Sequence, residues 1–329
     1  MEQLILSSGT GPSNGDITLP MTLMHSGMTI RMLNIVSRDA DGDPLQNGAY
    51  CVWFGVPPNG SGKPILLKDP GPSDRDCSYK ITDNDVGLLI RNVMIVFTNV
   101  KATSLNGYTA NPVASIPVDT ISSRSVRIPN RITRIEANGY AFTPDAGFPT
   151  TGFKDASFRI VLSVANTLYD WSSDVSWVTV SQEGVVKLGW GNSSNGMVTI
   201  TATPKKGSPG EEFGQLTYRF VLKSWFHSQS GQAMNWAKAD DFCKRSGFTL
   251  PTLEQIKGTP GTGNGNRGVI GGLWSEWGAV NGVNSNFRTN NWTSTPGNGG
   301  HYLFYLHTGK TNMLADTSNN FPMCQETMY

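Results

Sequence analysis

Between positions 236 and 254 the chain encodes a short, self-terminating helical passage with a cysteine inside it. Ala233, Trp236, Ala237, Phe242 and Cys243 fall on or near one face of a helix over 233–245. Gly247 closes that helix as a left-handed cap. After Leu250-Pro251, the spacing Thr252-x-x-Gln255 reads as a capping box that starts a second short helix. The next cysteine, Cys324, comes 81 residues later, almost at the C-terminus. A helix that carries a cysteine must therefore be reconciled with whatever the last few residues form.

The four cysteines fall as two pairs, Cys51 with Cys77 and Cys243 with Cys324. An even count in a glycine-rich, tryptophan-rich, charge-poor chain reads as disulfides formed in an oxidising compartment. Zinc is the rival reading, but there is no Cys-x-x-Cys spacing, and His25, His227, His301 and His307 are scattered. At 329 residues there is room for two or three domains. With 37 glycines and 19 prolines, turns are frequent, which suits short strands better than long helices. A net charge of +1 with no block of like charges gives no electrostatic reason to expect nucleic acid or anionic lipid. No apolar run reaches the roughly 18–20 residues of a membrane span. The start, Met-Glu-Gln-Leu-Ile-Leu-Ser-Ser-Gly, lacks the basic region and long apolar core of a signal peptide, so the chain reads as a fragment of something longer.

Period-2 alternation dominates the first two-thirds. Phe158, Ile160, Leu162 and Val164 face one way, as do Val198, Ile200 and Ala202, and Leu216, Tyr218, Phe220 and Leu222. Clusters such as Pro204-Lys-Lys-Gly-Ser-Pro-Gly210 bound these strands. Many short strands with frequent turns indicate β-sandwiches. The expected organisation is a first sandwich at 1–124, with strands at 28–36, 49–56, 88–98 and 113–118, then a second sandwich at 125–223, then a different unit at 224–329. In the first, Tyr79 to Gly87 resembles the Ig-like turn that precedes a core strand. In the second, Trp171-Ser-Ser and Ile200-Thr-Ala-Thr203 resemble bacterial Ig-like domains, with Trp171 as core.

The last unit has two helices, then a half rich in Gly, Asn, Ser and Thr, with aromatic islands at Trp274-Ser-Glu-Trp277, Asn290-Asn-Trp292 and His301-Tyr-Leu-Phe-Tyr305. This layout resembles a C-type-lectin-like domain, a resemblance that implies a disulfide stapling the helix to the last strand. The order sandwich, sandwich, lectin-like tip resembles the extracellular C-terminal region of the intimin/invasin adhesins, well over 125–329 and loosely over 1–124. The fold class expected is mainly β: two tandem Ig-like sandwiches followed by an α+β C-type-lectin-like domain.

Chemistry beyond binding finds little support. Sugar-binding C-type lectins hold calcium with Glu-Pro-Asn or Gln-Pro-Asp plus Trp-Asn-Asp, and none of these occurs; Glu276 is the only acid between 260 and 315. Asp39-Ala-Asp41-Gly-Asp43 begins like an EF-hand loop, but Pro44 and Tyr50 occupy its defining positions. Gly263-Asn-Gly265-Asn-Arg-Gly268 has dinucleotide-loop spacing without the strand before it, and reads as a flexible loop with Arg267 exposed. Gly191-Asn-Ser-Ser-Asn-Gly196 misses the nucleophile elbow by one residue. The sequons at Asn59, Asn192 and Asn291 are incidental in a bacterial chain. No enzyme, cofactor or metal site is expected.

The resemblance implies a bacterial adhesin passenger region on the surface of a Gram-negative outer membrane. It would meet the membrane only through an N-terminal barrel absent from this sequence, and would be a monomer as a fragment. Its partner would be a host-cell surface receptor, protein rather than glycan. Expected contacts are Arg267, Arg288, Asn290, Asn291, Trp292, His301 and Tyr302, on loops held by a rigid scaffold; Trp274, Trp277 and Tyr305 are read as core. Two rivals remain: a metal-independent carbohydrate-binding module stacking sugars on Trp292 or Tyr302, and a phage-like assembly part.

Overall fold

The computed structural model describes residues 13–14, 24–31, 37–38, 49–58, 62–71, 73–95, 118–122, 125–189, 196–227, 231–280 and 287–328. The expected strand stretches at 32–36, 96–98 and 113–117, the Asp39 to Asp43 turn, the Asn59 and Asn192 sequons and positions 191–195 lie outside these residues. The chain divides into two compact units, Met1–Pro129 and Asn130–Tyr329.

The first unit contains β1 (Ser13–Asn14), β2 (Thr29–Arg31), β3 (Ser37–Arg38), β4 (Tyr50–Val56), β5 (Ile65–Lys68), β6 (Ser78–Lys80), β7 (Leu89–Ile95) and β8 (Val118–Ile121). Its largest sheet is antiparallel, in the order β5-β4-β7-β8, and β2 pairs with β6. Strict alternation in β4 and β7 turns Cys51, Trp53, Ile90 and Met94 inward. Cys51 on β4 is bonded to Cys77, just before β6, with a Cα–Cα distance of 5.2 Å, so the disulfide joins the two sheets. Trp53 stacks on Tyr79 beside it at 5.8 Å. The turn after β6 is built on the buried Asp85, whose Oδ2 accepts from the Tyr79 hydroxyl at 2.7 Å and from the Thr82 amide at 2.7 Å. This is the Ig-like turn expected at 79–87. Val126 also packs in this unit's core.

The second unit begins with a sandwich. One sheet orders β10 (Tyr140–Phe142), β9 (Ile132–Ala137), β12 (Ser157–Leu162), β15 (Val185–Leu188) and β14 (Val178–Val180); the other orders β13 (Tyr169–Ser173), β16 (Met197–Pro204) and β17 (Leu216–Val221). The alternating residues 158, 160 and 162, and 198, 200 and 202, all face inward. Trp171 is half-buried against this core and donates its indole N–H to the Asn166 carbonyl at 3.1 Å.

Short β11 (Thr151–Phe153) does not join either sandwich sheet. It pairs in parallel with β18 (Ser224–His227), which in turn pairs antiparallel with β22 (Cys324–Thr327). Only Leu222 and Lys223 separate β17 from β18. The rest of the tip comprises α1 (Trp236–Arg245), α2 (Leu253–Lys257), α3 (Leu273–Trp277) and a second sheet of β19 (Asn290–Gly297), β20 (Gly300–Tyr305) and β21 (Lys310–Leu314).

α1 starts three residues later than the hydrophobic pattern predicts. Asn235 is its N-cap, accepting from the Lys238 amide at 3.0 Å, and Met234 is held extended by paired backbone bonds to Asn320. Ala233 and Ala237 are accordingly exposed, and the inward face runs through Ala239 and Cys243, one turn apart. Gly247 follows with φ of 79°. α2 carries the full Thr252/Gln255 capping box. Cys243 and Cys324 join α1 to β22 at a Cα–Cα distance of 5.4 Å, the staple implied by the lectin-like resemblance.

Candidate functional site

The tip is built around tryptophans that pack and also fasten backbone. Trp236 donates its indole N–H to the Thr293 carbonyl at 2.9 Å, Trp292 to that of Met234 at 2.9 Å, and Trp274 to that of Leu306 at 3.0 Å. Each bond ties a loop-rich segment to a different element, so the irregular half is held without long helices. The sheet β19-β20-β21 has a core on each side. Trp292 and Leu303 point to α1 and the disulfide, whereas Phe304 points to the core shared with the sandwich.

That shared core meets the sandwich at Glu276. Its carboxylate is fully buried and accepts from the Thr150 hydroxyl (2.6 Å), the Thr151 amide (2.9 Å) and hydroxyl (2.6 Å), the Thr150 amide (3.0 Å) and the Gly271 amide (2.9 Å). Burial raises its pKa, an effect the threonine and glycine donors partly oppose. Burial, and then the Glu276 charge, push the neighbouring Tyr218 phenol well above its ordinary value. Beside Glu276, the Trp277 indole donates to the Thr151 carbonyl at 3.0 Å, and Asn138 donates to the Trp277 carbonyl at 2.9 Å. Trp277 is core, as expected; Trp274 and Tyr305 are half-buried.

The seven expected contact residues do not form one surface. Arg267 lies at the sandwich junction rather than exposed on a free loop. Its guanidinium donates to the Ala137 carbonyl at 2.8 Å and lies 5.2 Å over the Tyr140 ring, because the hairpin turn at 138–139 presents carbonyls that a cation satisfies. The Gly-rich loop is likewise packed: Gly268, with φ of 92°, abuts the Tyr140 hydroxyl, where a side chain would collide. Trp292 is wholly buried, and Asn291 is 1% exposed, which also removes its amide as a glycan acceptor. His301 is half-buried, stacked on Trp236 at 3.7 Å and bonded through Nδ1 to Asp316 at 2.8 Å. Asn290 is half-buried at the start of β19, Tyr302 is half-buried within β20, and Arg288 is exposed, lying 5.4 Å over the Phe321 ring. Sequence reasoning missed Glu276 as a structural group. Its one visible signal was an isolated acid between two tryptophans in an otherwise uncharged stretch.

Among the described residues, no group of three or more His, Cys, Asp or Glu side chains is placed to hold a metal ion. No large hydrophobic side chain of the described tip is strongly exposed; those that are, such as Met197 and Val221, lie on the sandwiches. The fold thus defines a mainly β chain of tandem Ig-like sandwiches closed by a C-type-lectin-like tip.

Comparison with known proteins agrees. The family model described as invasin, domain 4, matches residues 133–220. Invasin of Yersinia enterocolitica is 28% identical over 295 residues, covering 82% of this chain and 34% of that protein. Inverse autotransporter adhesin YeeJ of Escherichia coli (strain K12) is 29% identical over 194 residues, covering 56% of this chain and 8% of that protein. The chain therefore spans about a third or less of the length of these relatives. A crystal structure of invasin, titled a bacterial integrin-binding protein, superposes with a TM-score of 0.54 at 19% identity, covering 97% of this chain and 81% of that one, and shows the same fold. The chain is thus similar to the invasins and inverse autotransporter adhesins, with its residues 133–220 matching the invasin domain 4 model and its fold that of invasin.

Proposed function

We propose that this chain is the surface-exposed region of a Gram-negative outer-membrane adhesin that binds a host-cell surface protein through its tip. In this reading 224–329 carries the contact, 1–124 and 125–223 are Ig-like spacers, and a barrel outside this sequence provides the membrane attachment. The fragment itself is a monomer. The observation that carries the proposal is the similarity to Invasin, which covers 82% of the chain and so must reach both spacers and the tip. A protein receptor also suits a described tip surface of amides, hydroxyls and Arg288. The contact candidates left are Arg288 just before β19, Asn290 at its start and, nearer the turn of the β19–β20 hairpin, His301 and Tyr302, while Arg267, Asn291 and Trp292 are packed within the tip. The sugar-stacking alternative loses its main platform, because Trp292 has no exposed ring face.

The test is binding of the purified chain to cultured mammalian cells, with and without EDTA and with simple sugars as competitors. Saturable binding that resists EDTA and sugars, and falls with Arg288→Ala, is expected. Competition by sugars would favour the carbohydrate module, and absence of binding by the intact chain would overturn the host-receptor reading.

A further inference from the structure

The exposed Arg288 opens a short link, 288–290, that runs from a buried anchor into the first residue of β19. On its N-terminal side Phe287 is buried edge-on against Phe153 of β11, at 5.2 Å. On its C-terminal side β19 runs between β20 and the segment at Phe321. The carbonyls of the link are each held. That of Thr289 accepts from the Leu306 amide at 2.8 Å, and that of Asn290 from the Phe321 amide at 3.3 Å. That of Arg288 accepts from a side chain, the Asn291 carboxamide, at 2.7 Å. Asn291 is 1% exposed and lies on the sheet face of its cross-strand neighbour Phe304, so its own position is fixed by packing.

We propose that Asn291 is a positioning residue for receptor contact, its buried carboxamide fixing the backbone that carries the exposed Arg288. This rests on the receptor reading above, and assigns Asn291 no contact of its own with the partner. A backbone amide is locked by the strand register, but a side-chain bond can be removed singly. The geometry of Arg288 is therefore separable from the fold of the tip.

The experiment uses the full chain carrying Asn291→Ala, Asn291→Asp, Arg288→Ala and the Asn291→Ala/Arg288→Ala pair, with cultured mammalian cells as the probe. Asn291→Ala is expected to weaken binding roughly tenfold, the effect of one lost hydrogen bond on a contact residue. Asn291→Asp, which turns an acceptor toward a carbonyl, should weaken it further if it folds. Amide hydrogen exchange should quicken at 288–290 and stay unchanged in α1 and β22. On the Arg288→Ala background, Asn291→Ala should add little. Unchanged exchange at 288–290, or two losses that simply multiply, would overturn the proposal. Quickened exchange with a silent Arg288→Ala would sink the receptor contact at this link, and the positioning role with it, while leaving the attachment of the backbone established.

Discussion

A buried carboxylate is expensive unless its lone pairs are filled, and at Glu276 two consecutive threonines do most of the filling. The arrangement is all-or-none: the threonine amides have no reason to point inward without the carboxylate, and the carboxylate has no reason to be dry without them. Glu276→Ala strands several buried donors at once, so it should destabilise the second unit by about 2–4 kcal/mol. Glu276→Gln, which keeps one acceptor oxygen, should cost less. Denaturant unfolding of residues 130–329 measures both, and equal stability in all three proteins would show that the cluster contributes nothing. The same residue marks the limit of reading a sequence alone. An isolated acid among glycines and tryptophans looks like surface, and its threonine partners lie more than a hundred positions away. Trp292 misled in the opposite direction, because its polar neighbours imply exposure although β19 is covered on both faces.

At the scale of elements, what was legible followed from local physics. Alternation at 158–162 and 198–202, the capping box at Thr252/Gln255 and the glycine stop at 247 depend on residues within a few positions of one another, and all formed. The start of α1 moved because Met234 is recruited into a pairing with Asn320, a contact beyond any local pattern. The last strand of the sheet β11-β18-β22 was expected, but the recruitment of β11 into it was not legible, since Thr151-Gly-Phe153 is too short to show a period. The two disulfides differ in what they constrain. Cys51–Cys77 closes a separation of 26 residues and Cys243–Cys324 one of 81. The loop-entropy model gives about 3.5 and about 4.5 kcal/mol respectively. Replacing Cys243 and Cys324 by serine should therefore lower stability more than replacing Cys51 and Cys77. Thermal melts of the two double variants compare them directly, and the reverse order would show that packing, not loop closure, governs.

For the whole molecule, the meaningful boundary in the second unit lies at its start. Leu253, Ile256, Trp277, Phe287 and Phe304 of the tip share one hydrophobic cluster with Phe148, Phe153 and Phe158 of the sandwich. Residues 130–329 should unfold in a single cooperative transition, whereas 224–329 alone should lack one, its Glu276 and Trp277 having no partners. Calorimetry on both fragments decides this, and a sharp transition in the isolated tip would refute it.

The parallel pairing of β11 with β18 also bears on how such chains diversify. A genetic crossover at the two-residue joint 222–223 would attach a tip whose acid and indoles meet a stranger's loop. A crossover near 129–130 carries the threonines together with the glutamate that needs them. The piece that could be exchanged with its packing intact is thus the sandwich together with its tip.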